Sequence, residues 1–279
     1  MNILVTGSRG FLGTALCQRL RADGHRVIGW DLAHSSEPDE ERVDITNHRE
    51  MGHALFVSYD VVIHLAAEFG RYNGVEFRER MWQTATMGTR NVIDYAIGQN
   101  SKFIFASSSE AYGTLADEHN VLKEELLDHL APRFLNEYAL SKWCGEQQVK
   151  MHLENYLILR IFNVYGPTEP KHKYRSFISR LCSGEKLPIY DGVRSWLYIS
   201  DFVDAVCLLL AQQGTYNVGS PYSFSNEEVM KLSGLEREVF RQEPYNVKHK
   251  VPDVSKLLAL GWNQKVSLDE GIRQCLASR

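Results

Sequence analysis

The chain has 279 residues, of which 44% are hydrophobic and 24% are charged, as in a globular protein with one large or two small domains. Its formal net charge of −4 gives no general attraction to nucleic acid or to an anionic membrane, so neither is expected as a partner. The longest apolar runs, "VVIHLAA" and "VCLLLA", are far too short to span a bilayer.

Strands and helices alternate along the first part of the chain. Apolar runs predict strands over residues 2–7, 25–32, 60–67, 102–108 and 156–162. Apolar residues at helical spacing predict helices over residues 11–24, 89–100 and, in longer form, about 76–99 and 133–152. The polar stretch "AHSSEPDEER" (33–42) is predicted as a loop. This order predicts an α/β protein with a Rossmann-like, doubly wound parallel sheet, whose ligands bind at the carboxyl ends of the strands.

The first motif is "TGSRGFLG", which lies directly after the first strand and opens a helix. Gly7 permits a tight turn, Gly10 lets backbone amides approach a pyrophosphate, and Gly13 lets the helix pack close to the sheet. The motif therefore predicts a dinucleotide site. The other residues predicted to line it lie in the same turn, at the ends of neighbouring strands or just after the predicted loop: Arg9, Phe11, Leu12, Asp31, Asp44, Ile45, Leu65, Ala66 and Ala67.

Asp31 follows the second strand, where a carboxylate binds the adenosine ribose. A carboxylate repels a 2′-phosphate, so Asp31 favours NAD as the cofactor. Arg9 lies in the phosphate turn and offers a partner for a 2′-phosphate, which keeps NADP as the less favoured alternative. Asp44, in "VDIT", has two readings: a cap on the adenine edge or the N-cap of a helix.

The second motif is "YALSK", with Tyr138 and Lys142 one helical turn apart on the same face. Such a pair also arises by chance on the surface of an amphipathic helix. Here the helix lies between two predicted strands of the sheet. A lysine ammonium and a cationic nicotinamide ring both favour a phenolate and lower the tyrosine pKa from its usual value near 10. The pair therefore predicts a base that takes a proton from a sugar hydroxyl while hydride leaves for the cofactor.

Taken together, the motifs resemble a known family over nearly the whole chain. The segments that carry the resemblance are "TGSRGFLG", "HLAAE", "SSSEAYG", "YALSK", "RIFNVYGP", "VRSWLYISD", "YNVGS" and "DVSKLLALGW". In this order they resemble the extended short-chain dehydrogenase/reductases, in the branch of NAD-dependent nucleotide-sugar epimerases and dehydratases.

The resemblance implies a catalytic set of Ser108, Glu110, Tyr138 and Lys142. Ser108 matches the hydroxyl that assists the catalytic tyrosine. The three residues that begin there differ between branches of the resembled family. They are similar to Thr-Asp-Glu in sugar 4,6-dehydratases and to Thr-Ser-Glu in UDP-glucuronate decarboxylases, whereas simple 4-epimerases usually lack the glutamate. This chain has Ser-Ser-Glu. Glu110 is therefore expected either as a base beside a 4-keto group or as a hydroxyl-binding or structural carboxylate in an epimerase.

The resemblance also implies four substrate-binding residues. Asn163 and Arg194 are expected on a nucleotide diphosphate, and Glu68 and Ser109 are expected to contact the substrate. Glu68 is also a second candidate acid, the alternative being a loop carboxylate that faces solvent.

Several positions depart from the family pattern. Ala85 replaces a usual asparagine, and the second substrate arginine has only Arg241 or Lys248 as substitutes. Arg71, in an atypical loop, could meet a carboxylate or phosphate, which keeps a uronate substrate open. The basic stretch "KHKYR" (171–175) could border the diphosphate.

The implied architecture has two parts. Residues 1–165, with a returning segment at about 196–220, form the NAD-binding domain; about 166–195 and 221–279 form a small substrate lobe. The two long predicted helices are expected to pair with their copies in a homodimer. The scattered cysteines, the absence of C-x-x-C and an N-terminus without signal-peptide features predict a cytoplasmic protein without a metal site.

The expected function is C4 oxidation of a nucleotide-diphosphate sugar followed by reaction of the transient 4-keto sugar, with C4 epimerisation favoured. Dehydration, UDP-glucuronate-type decarboxylation and a plain 4-dehydrogenase or keto-reductase are the enzymatic alternatives. A non-catalytic NAD(P)-sensing regulator is the alternative of another class.

Overall fold

The computed structural model of the chain describes residues 1–53, 58–68, 70, 76–170, 176–189, 192–236, 238–241 and 249–278. Arg71, Lys248 and the stretch 171–175 lie outside these residues. The side chain of Arg241 is likewise not described. The predictions that involve them stay predictions.

Strands form three sheets in the described part of the chain. Their bounds are β1 Asn2–Thr6, β2 Arg26–Asp31, β3 Glu40–Arg42, β4 Val61–His64, β5 Lys102–Ser108, β6 Tyr156–Ile161, β7 Asn163–Tyr165, β8 Leu187–Ile189, β9 Val193–Tyr198, β10 Gly214–Val218, β11 Ser223–Ser225 and β12 Val239–Arg241. Seven of them make a parallel sheet in the order β10-β6-β5-β4-β1-β2-β3. Helices flank it, which confirms the predicted Rossmann-like α/β fold.

The helices alternate with these strands. Their bounds are α1 Phe11–Ala22, α2 His48–His53, α3 Arg78–Trp82, α4 Thr89–Gln99, α5 Leu115–Glu118, α6 Leu126–His129, α7 Glu137–His152, α8 Phe177–Cys182, α9 Ile199–Leu209, α10 Asn226–Ser233, α11 Ser255–Ala259 and α12 Leu268–Ala277. A π-helical segment, Gln83–Gly88, joins α3 to α4, and a 3-10 turn, Ser109–Tyr112, follows β5.

The strand register brings the carboxyl ends of several strands to one edge of the sheet. Thr6, the last residue of β1, is paired with Trp30 of β2 on one side and with His64 of β4 on the other. Next along the sheet, His64 is paired with Phe105 of β5. Because all these strands are parallel, the residues that follow them emerge at the same edge, where ligands of such folds bind.

The chain divides into two compact units. The first comprises Met1–Ala111, Asn136–Leu159 and Leu209–Thr215. Its core packs the sheet strands against helices α4 and α7 through fully buried residues such as Val92, Phe105 and Val149. The second comprises Tyr112–Leu135, Arg160–Leu208 and Tyr216–Arg279.

The second unit contains a buried polar network. Arg160 is fully buried and donates to the backbone carbonyl of Glu124 at 2.7 Å and to the phenol oxygen of Tyr112 at 3.2 Å. Tyr112 donates to the side-chain oxygen of Asn217 at 2.8 Å, and the backbone amide of Asn217 donates to the Glu124 carboxylate at 2.9 Å. Hydrogen bonds on every member offset the cost of burying a guanidinium.

Three predictions of local structure need correction. The predicted loop 33–42 contains β3, which pairs in parallel with β2; a three-residue edge strand is specified by its partner and leaves little sequence signal. The predicted long helix over 76–99 is interrupted by the π-helical segment, where Ala85 and Gly88 are buried. The predicted helix over 133–152 begins only at Glu137, because the Asn136 side chain accepts the Ala139 amide at 2.8 Å and caps it.

Gly145 lets α7 approach β5. A Cβ atom at this position would lie 2.4 Å from the ring of the buried Phe105. We expect Gly145→Ala to lower the free energy of unfolding by about 1–3 kcal/mol through overpacking. Gly98→Ala, at an exposed site of α4 where a Cβ would meet nothing within 4 Å, should instead raise it by up to about 1 kcal/mol. Urea unfolding of both variants measures the difference, and equal effects would contradict the packing argument.

Candidate active site

The glycine-rich turn lies between β1 and α1. Gly7 has φ +72°, and a Cβ there would lie 2.7 Å from the backbone nitrogen of Ala66. A Cβ at Gly13 would lie 2.1 Å from the carbonyl oxygen of Gly7. Helix α1 has Gly10 as its N-cap, so it has no side-chain cap, and its first turn has no acidic residue. The first amides of α1 are thus left for an anion, which fits the pyrophosphate of a dinucleotide.

Asp31 stands beside this turn at the end of β2. One oxygen of its carboxylate accepts the backbone amide of Arg9 at 3.1 Å, and the other accepts that of Ala33 at 3.0 Å. The negative charge is therefore held against the phosphate turn, where it can accept hydroxyl protons of a ribose and repels a 2′-phosphate. Arg9 itself is exposed. This geometry fits NAD better than NADP.

Glu40 is a member of this region that the sequence analysis did not single out. Its carboxylate accepts the Ser8 hydroxyl at 2.5 Å and is paired with Arg21 at 2.9 Å. Ser8 is buried within the glycine-rich turn, so Glu40 braces the turn from β3. The position was missed because β3 lies inside the predicted loop.

Leu65, Ala66 and Ala67 follow β4 and lie against the same turn. The amide of Leu65 donates to the carbonyl of Thr6 at 3.1 Å, and that of Ala66 donates to the Thr6 hydroxyl at 3.3 Å. The Thr6 hydroxyl also contacts His64 Nδ1 at 2.7 Å. Burial, and next the positive charge of Lys142, lower the pKa of His64 to about 3. A neutral core histidine thus fixes the segment that carries the three predicted residues.

The remaining predicted cofactor residues are held by local contacts. The Asp44 carboxylate accepts the amide and the hydroxyl of Thr46, at 2.9 and 2.7 Å, shortly before α2. Ile45 is buried in the core against Gly88, and its carbonyl accepts the Asn91 amide at 2.9 Å. Phe11 and Leu12 open α1 and are partly exposed.

Ser108, Tyr138 and Lys142 come together at the end of β5. The Ser108 hydroxyl hydrogen-bonds the phenol of Tyr138 and also accepts the amide of Glu110 at 3.2 Å. The Lys142 ammonium lies 5.9 Å from the centre of the Tyr138 ring and donates to the carbonyl of Ala106 at 2.7 Å. The two motifs that the sequence separates by about 30 residues thus form one cluster.

The protein's own groups raise the pKa of Tyr138 instead of lowering it. Burial raises the pKa to about 12, the hydrogen bond from Ser108 opposes this, and the negative charge of Glu110 adds to it. In the protein without a bound cofactor, desolvation therefore outweighs the predicted lowering of the Tyr138 pKa. Burial in turn lowers the pKa of Lys142 to about 8, against the opposing charge of Glu146.

Glu110 and Ser109 lie in the 3-10 turn after β5. Ser109 is buried and Glu110 is partly exposed. The influence of Glu110 on Tyr138 shows that its carboxylate stands near the phenol. Both readings of Glu110, as a base and as a binding or structural carboxylate, are compatible with this placement.

Glu68 is engaged in an ion pair. Its carboxylate lies 2.5 Å from the Arg80 guanidinium. Two other residues of α3 contact Glu137, which accepts the indole N–H of Trp82 at 2.7 Å and lies 3.6 Å from Arg78. The contacts of Glu137 tie α3 to the first turn of α7, immediately before Tyr138. The arginine and tryptophan partners were not foreseen, since nothing in the sequence brings α3 to this helix.

The predicted diphosphate residues lie in the second unit. Asn163 of β7 donates to the carbonyl of Ser195 at 3.0 Å, and Arg194 of β9 is buried. Lys250 forms a parallel bridge with Arg194 and is also buried. A second buried cation therefore accompanies Arg194, a few residues after the region where the family pattern suggested one. The sequence alone gave no signal for it, because burial of a lysine is decided by the pairing.

The residues that the structure describes contain neither a metal-binding cluster nor a membrane-spanning helix. No cluster of histidine, cysteine, aspartate and glutamate there is arranged to hold a metal ion. In the same residues no helix has both the length and the hydrophobicity needed to cross a bilayer.

Comparison with known proteins gives a family match and several similar proteins. The family model "NAD dependent epimerase/dehydratase family" matches residues 3–219. The low-salt glycan biosynthesis protein Agl12 of Haloferax volcanii is 29% identical, over 99% of this chain and 97% of its own. UDP-glucuronic acid decarboxylase 1 of Xenopus tropicalis is 27% identical, over 98% and 71%. The structure of the Thermus thermophilus UDP-glucose 4-epimerase in complex with NAD superposes with a TM-score of 0.85 at 25% identity, over 100% and 98%.

Replacing Glu110 tests the electrostatics of this cluster without any ligand. We expect Glu110→Gln to lower the Tyr138 pKa by about half a unit, because a partly exposed negative charge is removed from beside the phenol. A fluorinated tyrosine at position 138, which ionises closer to neutral pH, permits the titration by 19F NMR. Glu118→Gln, at an exposed site, is the matched control. An unchanged midpoint in Glu110→Gln would place the carboxylate away from the phenol.

Proposed function

Because this chain belongs to the NAD dependent epimerase/dehydratase family, we propose that it oxidises C4 of a nucleotide-diphosphate sugar reversibly, with C4 epimerisation as the net reaction. Membership of the family confirms the predicted resemblance, the prediction of an enzyme and the prediction of NAD as cofactor. The observation that carries the proposal is the contact between Ser108 and Tyr138 with the Lys142 ammonium beside it.

In the proposed reaction, Tyr138 removes the proton of the C4 hydroxyl. The chemistry that a bound NAD would supply is reversible hydride acceptance at C4. A phenol with a pKa near 12 is protonated at neutral pH, so Tyr138 needs adjacent positive charge to act as a base. Lys142 supplies such a charge from one helical turn away, and Ser108 orients the reacting oxygen. Oxidation makes C4 planar, so return of the hydride to the opposite face gives the epimer.

Decarboxylation of a nucleotide-linked uronate is the second candidate. Its support is the triplet Ser108-Ser109-Glu110, which resembles that of the UDP-glucuronate decarboxylases, together with the relative from Xenopus tropicalis. A 4-keto uronate is a β-keto acid, which loses carbon dioxide readily. Glu110 would then protonate C5, or steer the proton, before C4 is reduced. Dehydration is less favoured, because Ser109 offers no carboxylic acid to protonate a leaving hydroxyl.

We also propose that the second unit holds the nucleotide diphosphate. Asn163, Arg194 and the newly recognised Lys250 are its candidate ligands, since buried cations match phosphate oxygens. The sequence-predicted division into an NAD-binding domain and a substrate lobe stays part of this proposal, as do the predicted roles of Glu68 and Ser109 in substrate binding. The cytoplasm is the proposed location, and it agrees with five cysteines that form no disulfide with one another.

We propose that the protein forms a homodimer through the two long helices predicted over about 76–99 and 133–152. Met87 in the π-helical segment and Met151 in α7 are 60% and 73% exposed, so each of the two predicted helices presents an apolar side chain to a partner copy. Sedimentation velocity should give about twice the chain mass of 31.9 kDa, and Met151→Glu should shift the protein towards the monomer. A single species at the chain mass across concentrations would overturn this part of the proposal.

The function is tested by incubating the protein with a panel of UDP- and dTDP-linked hexoses and UDP-glucuronate in deuterated water, followed by chromatographic separation of the epimers and mass spectrometry of each product. We expect a product of unchanged formula without solvent deuterium, because hydride leaves and returns at C4. Loss of carbon dioxide with deuterium incorporated would instead establish the decarboxylase.

Variants assign the roles in that assay. Tyr138→Phe should lower kcat by about 10²–10⁴-fold with its fold intact, since a general acid–base group is removed. Glu110→Gln should preserve epimerisation but lower any decarboxylation. Turnover that is unaffected by Tyr138→Phe would exclude the mechanism.

A further inference from the structure

A buried carboxylate on α7 is not used by the proposed mechanism. Glu146 has no exposed surface, and its Oε1 accepts the hydroxyl of Ser107 at 2.5 Å. Burying a carboxylate costs free energy unless partners stabilise it. Glu146 also lies one helical turn after Lys142, which lies one turn after Tyr138, so these three side chains share a face of the helix.

Two hydrogen bonds join successive turns of α7 to successive residues of β5. Lys142 donates to the carbonyl of Ala106, and Ser107 donates to Glu146. The residue that follows on β5 is Ser108, and the preceding turn of α7 carries Tyr138. The two bonds therefore fix the register of helix and strand at the point where Ser108 meets Tyr138.

The same arrangement places a negative charge beside the lysine. Glu146 counters the lowering of the Lys142 pKa by burial. The groups that face Lys142 are Glu146 and Tyr138 from its own helix, the neutral His64 from β4, and the carbonyl of Ala106 from β5. The ring of Phe105 also lies 5.3 Å from the ammonium. Among these, Glu146 carries the negative charge that favours the ammonium form.

We propose that Glu146 is a positioning residue that keeps Lys142 protonated and, through Ser107, holds the end of β5 in register with Tyr138. The effect of Glu146 on turnover depends on the proposed function being correct. The charge state of Lys142 is a property of the protein alone and can be measured without substrate.

A purely structural glutamate would behave differently. Glu146→Gln keeps an oxygen that can accept the Ser107 hydroxyl, and it removes the negative charge. If the residue only fills space and bonds to Ser107, this variant leaves the titration of Lys142 unchanged. If it sustains the ammonium, the lysine loses its proton at lower pH.

The decisive experiment is an NMR titration of the protein labelled with 13C at lysine Cε. Lys142→Met assigns the signal, and Glu154→Gln, an exposed carboxylate just beyond α7, is the matched control. We expect the Lys142 midpoint to fall by about one unit in Glu146→Gln and to stay in place in Glu154→Gln. An unchanged midpoint in Glu146→Gln overturns the electrostatic part of the proposal.

Activity gives the second readout. In Glu146→Gln the alkaline limb of the kcat profile should move to lower pH by the same amount, with KM nearly unchanged and activity recovered at lower pH. Ser107→Ala keeps the charge but removes the register bond, so kcat should fall at every pH without a fall in the lysine midpoint. Wild-type kcat in Ser107→Ala overturns the register part. If no nucleotide sugar turns over at all, the proposed function fails, whereas the lysine titration still decides the role of Glu146.

Discussion

The close approach of helix α7 to strand β5 is the constraint on which the site depends. Gly145 permits it, because any side chain there would meet the Phe105 ring. Once the two elements touch, Lys142 can reach the carbonyl of Ala106, and the Ser108 hydroxyl can reach Tyr138. A site built on a strand end and a helix face is held by packing on both sides, which is how a catalytic geometry is kept within a few tenths of an ångström.

The cofactor side follows from a second close approach. Gly7, at a positive φ, brings the end of β1 against Ala66, and Gly13 brings α1 against Gly7. The parallel register of the sheet then sets the turn next to the ends of β2 and β4. Two carboxylates hold the turn in place. Asp31 accepts the backbone amide of Arg9, and Glu40 accepts the hydroxyl of Ser8.

Buried ionisable groups give the site its electrostatic character. Desolvation pushes Lys142 towards the neutral amine, which lacks the positive charge that would favour a phenolate, and it keeps Tyr138 protonated. Glu146 counters the first effect. Glu110 reinforces the second, because its negative charge adds to the cost of ionising the phenol. Binding of a cationic nicotinamide ring would act in the direction opposite to Glu110.

The sequence by itself determined the alternation of strands and helices in the first part of the chain, the parallel sheet and the family. These features are predictable because their signals are local in the sequence. The signals are an apolar run ending at Gly7, glycines spaced for a phosphate turn, and Tyr138 four residues before Lys142. The tertiary structure decided which polar residues surround those motifs. Nothing local marks Glu146, Ser107, Glu40 or Lys250 as partners, because each is defined by a neighbour that is distant in sequence. The direction of the Tyr138 pKa shift was decided there as well, since desolvation is a property of the packed structure and not of the spacing between two residues on a helix.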